Sequence, residues 1–217
     1  MVTKLHNTQF CQALHNADTT TLMTQELKKF IAEYIHLSDN ELNIIAIKFN
    51  RKIIKKNDYY LRQGETCKDL VFVQSGCLRM FFIKDGVEIS VWFAFPNSVA
   101  SEIYSFISQK PSGFFVQAIQ DSEVLYLPKS KLNTIYETHP AMQELMRKFW
   151  EEILLYIIDR FSSLQNDTAE QRYVNLMKNP EYLLMIPQKY LASFIGITPT
   201  SFSRIRYGAL NNQLFLL

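Results

Sequence analysis

Between Ile44 and Leu127 turn signals arrive every several residues, and the stretches between them are short and rich in Val, Ile, Phe and Tyr. The signals are Lys56-Asn57-Asp58, Gln63-Gly64-Glu65, Ser75-Gly76, Lys84-Asp85-Gly86, Pro96-Asn97 and Pro111-Ser112-Gly113. Strands fit the intervals Asp69–Gln74, Gly76–Ile83, Val87–Phe95, Phe114–Gln120 and Glu123–Leu127. Asp85-Gly86, lying between two such runs, predicts a tight hairpin. Many short strands with no long helical pattern among them predict an antiparallel barrel or jelly roll.

Helical periodicity holds on both sides of this region. Leu27, Phe30, Ile31, Tyr34 and Ile35 predict a helix from Met23 to about His36, after a polar, Thr-rich lead-in. Ser38-Asp39-Asn40-Glu41 has the form of a capping box and predicts a second, short helix. From Pro140, Met142, Leu145, Met146, Phe149, Ile153, Leu154, Ile157, Phe161 and Leu164 keep three-and-four spacing for about six turns. Trp150, Leu155, Tyr156 and Ile158 widen the apolar surface beyond one stripe, so the helix must be covered on more than one side. It can pack on its own barrel with one face and on a partner's copy with the other, or serve as an internal core helix. Asp167-Thr168-Ala169-Glu170 then caps a further helix that ends by Asn179-Pro180.

The chain has 217 residues, 47% of them hydrophobic and 20% charged, enough to build a core and too balanced for disorder. The net charge of +2 does not announce a polyanionic partner, but its distribution is uneven. Tyr182 to Leu217 contains no Asp or Glu, while Lys189, Arg204 and Arg206 remain. No apolar run approaches the roughly 20 residues of a membrane span, and no secretory signal opens the chain, so a cytoplasmic location away from any membrane is expected. Cys11, Cys67 and Cys77 are odd in number and form no CxxC pair, which fits reduced thiols.

Ile186 to Arg206 reads IPQKYLASFIGITPTSFSRIR. Two short helices are predicted, roughly Gln188–Ile195 and Pro199–Tyr207, with Gly196 supplying the positive φ of a tight turn. Thr198 is an N-cap residue and Pro199 occupies the first helical position, where its missing N–H costs nothing. Leu191, Phe194, Ile195, Phe202 and Ile205 anchor the pair. Thr200, Ser201, Ser203, Arg204 and Arg206 are left exposed, an arrangement suited to the major groove. Arg204 is the candidate base reader, and Gln188, Lys189 and Arg206 are candidates for phosphate contacts.

The segments TAEQRYVNLMKNPEYLLMIPQKYLASFIGITPTSFSRIR and YYLRQGETCKDLVFVQSGCLRMFFIKDGVEISVWFAF resemble the Crp/Fnr family of regulators, especially its Bacteroidetes branch. The resemblance runs from about Met23 onward, with barrel, long helix and helix-turn-helix in the family's order. It implies an α+β chain: an N-terminal, cyclic-nucleotide-binding-like jelly roll with flanking helices over 1–139, a dimerisation helix over 140–165 and a helix-turn-helix, winged-helix-like domain over 166–217. It implies a homodimer on a pseudo-palindrome in double-stranded DNA, with scope for contact with RNA polymerase and for an unidentified small-molecule effector. Only eleven residues follow Arg206, so the wing is expected to be vestigial or absent.

Family members that bind cAMP use a Gly-Glu pair for the ribose and an Arg-Ser or Arg-Thr pair for the cyclic phosphate. The matching positions are Ser101-Glu102 and Ser112-Gly113: the carboxylate is kept and the arginine is not. A phosphodiester without a cation is costly to bury, so cAMP is not the expected effector. Three scattered cysteines cannot ligate an iron–sulfur cluster, and His6, His15, His36 and His139 lie off the strands, so no metal site or cofactor is expected. No nucleophile–base pair or phosphate-cradling loop is present, and no enzymatic activity is expected. The alternative reading is a small-molecule-binding barrel whose terminal helices contact protein and not DNA.

Overall fold

The computed structural model describes residues 25–214, and the side chains as far as 209. The lead-in, Cys11, His6, His15 and the first residues of the expected opening helix lie outside the described residues. Helix α1 occupies 25–34 and buries Leu27 and Ile31 at four-residue spacing. Helix α2 (Asp39–Ala46) starts with the expected capping box, Ser38 and Glu41 each bonding the other's backbone N–H.

Eight strands follow: β1 (Asn50–Ile54), β2 (Tyr59–Leu61), β3 (Asp69–Ser75), β4 (Leu78–Lys84), β5 (Val87–Ala94), β6 (Ser98–Val99), β7 (Phe115–Ala118) and β8 (Ser122–Pro128). They form two antiparallel sheets, ordered β1-β8-β3-β6 and β2-β7-β4-β5, the double-sheet arrangement of a jelly roll. Asp85 and Gly86 both adopt positive φ, and Lys84 pairs with Val87, as a two-residue hairpin requires. Inward residues such as Val71, Val73, Leu78, Val116 and Val124 fill the space between the sheets.

Helix α3 (Ile103–Ser108) interrupts the strands and helix α4 (Lys129–Thr138) follows them. Helix α5 (Ala141–Asn166) is a single rod of 26 residues, roughly 39 Å at 1.5 Å per residue. Its first half is part of the barrel core. Met142, Leu145, Met146 and Phe149 are buried there, and α1 packs on it with Phe30 and Tyr34 against Phe149 at ring separations of 6.1 and 6.3 Å.

Helix α6 (Ala169–Met177) opens on a capping box between Thr168 and Gln171. Asn179-Pro180 ends it as expected, but the same pair starts α7 (Pro180–Met185), with Asn179 as N-cap and Pro180 in the first turn. Proline is a stop for the helix before it and a start for the one after. Helices α8 (Gln188–Phe194) and α9 (Pro199–Leu214) complete the fold. The expected second helix of the pair runs to Leu214, so the stretch after Arg206 continues α9 and no strand follows α8 among the described residues. The stretch expected to hold at most a vestigial wing is helical as far as Leu214. No helix among the described residues is long and apolar enough to cross a membrane.

Candidate nucleic-acid interface and barrel cavity

The α8–α9 pair is set by a second hydrophobic core. Tyr173, Leu176, Ile186, Leu191, Ala192, Phe194, Ile195 and Phe202 bury together with Cys77, Phe93, Phe95 and Ile119 from the barrel. The turn between the helices carries Gly196 at φ +74°. Thr198 Oγ1 accepts from Ser201 N at 3.1 Å, the expected N-cap bond. Ala192 is wholly buried where the helices meet.

On α9 each residue turns about 100° from the last, so Thr200, Ser203, Arg204 and Tyr207 share one face opposite Phe202. All four are exposed. Ser201 is half-buried. Arg206 is exposed on the flank beside Phe202, close enough to influence the Tyr173 hydroxyl on α6. Gln188 is half-buried and donates to Ser203 Oγ, which itself donates to Pro199 O at 3.0 Å. Gln188 and Ser203 therefore hold α8 to α9, while Lys189 is exposed with its ammonium 4.7 Å from the Tyr190 ring.

Helix α8 is also fixed to its surroundings at both ends. Its C-terminal carbonyls meet two guanidinium groups: Arg160 of α5 donates to Phe194 O, and Arg172 of α6 donates to Ile195 O at 2.8 Å. Cations at a helix C-terminus complement its dipole. Near the other end Tyr190 covers Arg79 of β4, whose guanidinium lies 3.7 Å from that ring and 3.9 Å from Phe81. Ser193 Oγ accepts from Ser90 N at 3.2 Å and donates to Ser90 Oγ. Neither Arg79 nor Arg160 was singled out from the sequence. The signal was present in both cases: an arginine inside the apolar strand Leu78–Ile83, and another inside the apolar stretch of α5.

Arg79 has no exposed surface. One nitrogen bonds Glu88 at 2.6 Å and Gln117 at 3.3 Å, while Nε and Nη1 have no partner. A buried cation that loses its counter-ion is worse off than a neutral side chain of similar length. Glu88→Ala is thus expected to lower stability to urea by about 1–3 kcal/mol, at or below the fully buried range because Glu88 is half in water. Adding Arg79→Met to that variant should restore most of the loss. Equal midpoints for the single and double variants would refute this account.

The second feature is a cavity of about 470 Å³ between the barrel and α5. Met80, Val91, Trp92 and Phe114 line it from the barrel side, and Phe149, Ile153, Tyr156, Ile157, Arg160 and Phe161 from α5. Of the four candidate effector residues it brings together Ser101 and Glu102 but not Ser112 or Gly113. Ser101 Oγ is occupied between Val71 N and Asp69 O. The Glu102 carboxylate caps α3, accepting from Tyr104 N and Ser105 N at 3.0 Å each. Ser112 is buried with its hydroxyl turned onto the Phe114 backbone, away from this cavity's lining, and its own backbone closes a turn with Gly64 and Glu65.

The seven residues expected on a dimer seam divide in two. Met142, Leu145, Met146 and Phe149 are in the chain's own core, which corrects their assignment to a partner surface, because the start of α5 completes the barrel. Ile153 is half-buried, and Ile157 and Phe161 are 51% and 65% exposed. Leu154, Leu155, Ile158 and Leu164 are exposed with them. Trp150, Leu154, Ile157, Phe161 and Leu164 recur at alternating four- and three-residue steps, the spacing of a two-stranded seam.

Cys67 and Cys77 are buried, and burial pushes their thiols up to about 11 and about 12, away from the reactive thiolate. Among the described residues no group of His, Cys, Asp and Glu is arranged to hold a metal ion.

Comparison with known proteins agrees with this architecture. The cyclic nucleotide-binding domain family matches residues 51–139. No curated protein sequence matches the chain. Among solved structures, FixK2 from Bradyrhizobium japonicum superposes with a TM-score of 0.67 at 17% identity, covering 76% of this chain and 85% of that one. The c-di-GMP-responsive global regulator CLP of Xanthomonas campestris gives 0.64 at 14% identity, covering 82% and 94%. A transcriptional regulator of the Crp/Fnr family from Eubacterium rectale gives 0.61 at 16%, covering 81% and 85%. The chain has the fold of these Crp/Fnr-type structures, and its barrel is the part that the cyclic nucleotide-binding domain family matches.

Proposed function

We propose that this chain, built on the Crp/Fnr fold, is a DNA-binding transcription regulator that acts as a homodimer on a pseudo-palindromic promoter site. The observation that carries the reading is α9: Phe202 buried on one side, and Thr200, Ser203, Arg204 and Tyr207 exposed together on the other, on an acid-free helix. In this reading α9 enters the major groove with Arg204 on a base edge. Lys189 and Arg206 flank that face and contact phosphates, while Gln188 reaches the backbone only from its bond to Ser203. Thr198, Thr200 and Ser201 lie at the N-terminal end of α9, where hydroxyls and backbone N–H groups meet phosphate.

The apolar second half of α5 supplies the dimer contact, placing two copies of α9 one helical turn of DNA apart, about 34 Å. The barrel is the sensing domain. A cyclic phosphate is a poor occupant, because Glu102 is spent on capping α3 and Ser112 does not face the cavity.

Selection of DNA from a random pool by the purified protein tests the reading. The expected result is a two-fold symmetric motif that binds in anisotropy with steep salt dependence. Failure to enrich any motif, with or without cAMP, would favour the alternative in which these helices contact protein.

A further inference from the structure

The cavity along α5 has a polarity of its own. Its lining runs from Phe149 to Leu164, roughly 22 Å of helix, so the space is elongated. A volume of 470 Å³ falls within the range of small-molecule sites, roughly 300–1,000 Å³. Nearly all of the wall is hydrocarbon or aromatic, and Ser101 and Glu102 are already satisfied by backbone partners.

Two charged residues line it, Glu102 and Arg160. Glu102 caps α3, whose Phe106 ring packs 6.1 Å from Trp150. Arg160 belongs to the C-terminal part of the α5 lining, with Ile157, Phe161 and Leu164. No carboxylate among the described residues lies within ion-pair reach of Arg160; its contacts are Phe194 O and the Phe194 ring, 3.7 Å from the guanidinium carbon. Burial depresses its pKa, and Arg172 adds a second positive charge nearby. A partly desolvated cation without a counter-ion, in the wall of an apolar slot, is a site for an anionic head group.

We propose that this cavity binds an elongated amphipathic acid, its apolar chain lying along α5 and its carboxylate on Arg160. A bound carboxylate competes with Phe194 O for the guanidinium and loosens the C-terminus of α8. Binding itself stands on the cavity alone; its consequence for DNA rests on the reading of α9 given above.

Isothermal titration of the full chain with dodecanoate, below its micellar concentration, and with dodecanol decides the matter. Dodecanoate is expected to bind the wild-type protein at least about ten-fold more tightly than dodecanol, the margin of a charge-assisted bond. Arg160→Gln should remove that margin and Arg160→Lys should keep most of it. Absence of dodecanoate binding would overturn the proposal, including the case where a second copy's α5 fills the slot. So would equal affinity for acid and alcohol in the wild type, a comparison that needs no variant. Anisotropy on the selected DNA, with and without dodecanoate, separates the two readings. If dodecanoate binds through Arg160 and no DNA is ever selected, the regulator assignment falls and the site stands. If DNA is selected and dodecanoate does not bind, the reverse holds.

Discussion

Phe161→Glu is expected to leave the protein monomeric in sedimentation velocity and to weaken binding to a symmetric DNA site by about 10²–10⁴-fold. The ring is 65% exposed and belongs to neither hydrophobic core, so the barrel and the α8–α9 unit should stay folded. In a parallel two-fold pairing along the 150–154–157–161–164 seam, residue 161 faces its own copy. The substitution therefore removes the aromatic pair on the axis and sets two carboxylates against each other in a desolvated setting. Each half-site then has to be bound independently, and the gain from linking two modules is lost. Leu155→Glu, one helical position off that seam, should have a smaller effect. A Phe161→Glu protein that sediments as a dimer would show that α5 is not the partner surface.

Much of the frame could be read from residues alone. Ser38 with Glu41 and Asp85-Gly86 each fix a local geometry through a few neighbouring atoms, and each is found as expected; the cap expected within Asp167–Glu170 falls on Thr168, whose capping-box partner is Gln171. The helix pair behaves in the same way: Gly196, Thr198 and Pro199 carry their own turn chemistry. Elements whose identity depends on distant partners were harder. Strand β1 reads NRKII, with two basic residues in five, and its Arg51 pairs across the sheet with Glu123, 72 residues away. Strands β2 and β6 have three and two residues, too few for alternation to register.

Helix α5 shows the limit most clearly. Its three-and-four spacing is unbroken from Met142 to Leu164, and periodicity reports that a face is covered without saying by what. The structure divides it: the first half is sealed by α1 and the barrel, while on the second half Leu154, Leu155, Ile157, Ile158, Phe161 and Leu164 are exposed. Ser112 shows a related limit. Its alignment with a phosphate-binding position was legible from the resemblance, but the turn that points its hydroxyl at Phe114 is a matter of local backbone.

These placements make α5 a common element of three sites. Ile153 and Tyr156 face the cavity, Phe161 faces outward at its rim, and Arg160 reaches the end of α8. On the other side, Arg79 and Ser90 tie α8 to the barrel. A shift of α5 against the barrel must strain one of these two attachments. A ligand that binds the two arrangements unequally can then bias α8 and α9, which is the minimum that a regulated binder requires.

Arg204→Ala is expected to abolish sequence preference while leaving much of the non-specific affinity. Arg204 shares the exposed face of α9 with Thr200 and projects opposite the buried Phe202, whereas Arg206 sits on the flank near Tyr173. A guanidinium on a guanine edge contributes about 1–3 kcal/mol of discrimination, so losing one in each half-site of a dimer amounts to about 2–6 kcal/mol, roughly 30-fold to more than 10⁴-fold. Arg206→Ala removes a phosphate contact, which should weaken all sequences alike and flatten the salt slope. The two variants thus differ in kind. For Arg204→Ala, affinities for the selected site and a scrambled duplex should converge; for Arg206→Ala, their ratio should hold while both fall. If Arg206→Ala collapses the ratio and Arg204→Ala preserves it, α9 docks on its flank and the assignment of reader and phosphate clamp must be exchanged. If neither variant changes the ratio, sequence is not read by this helix at all.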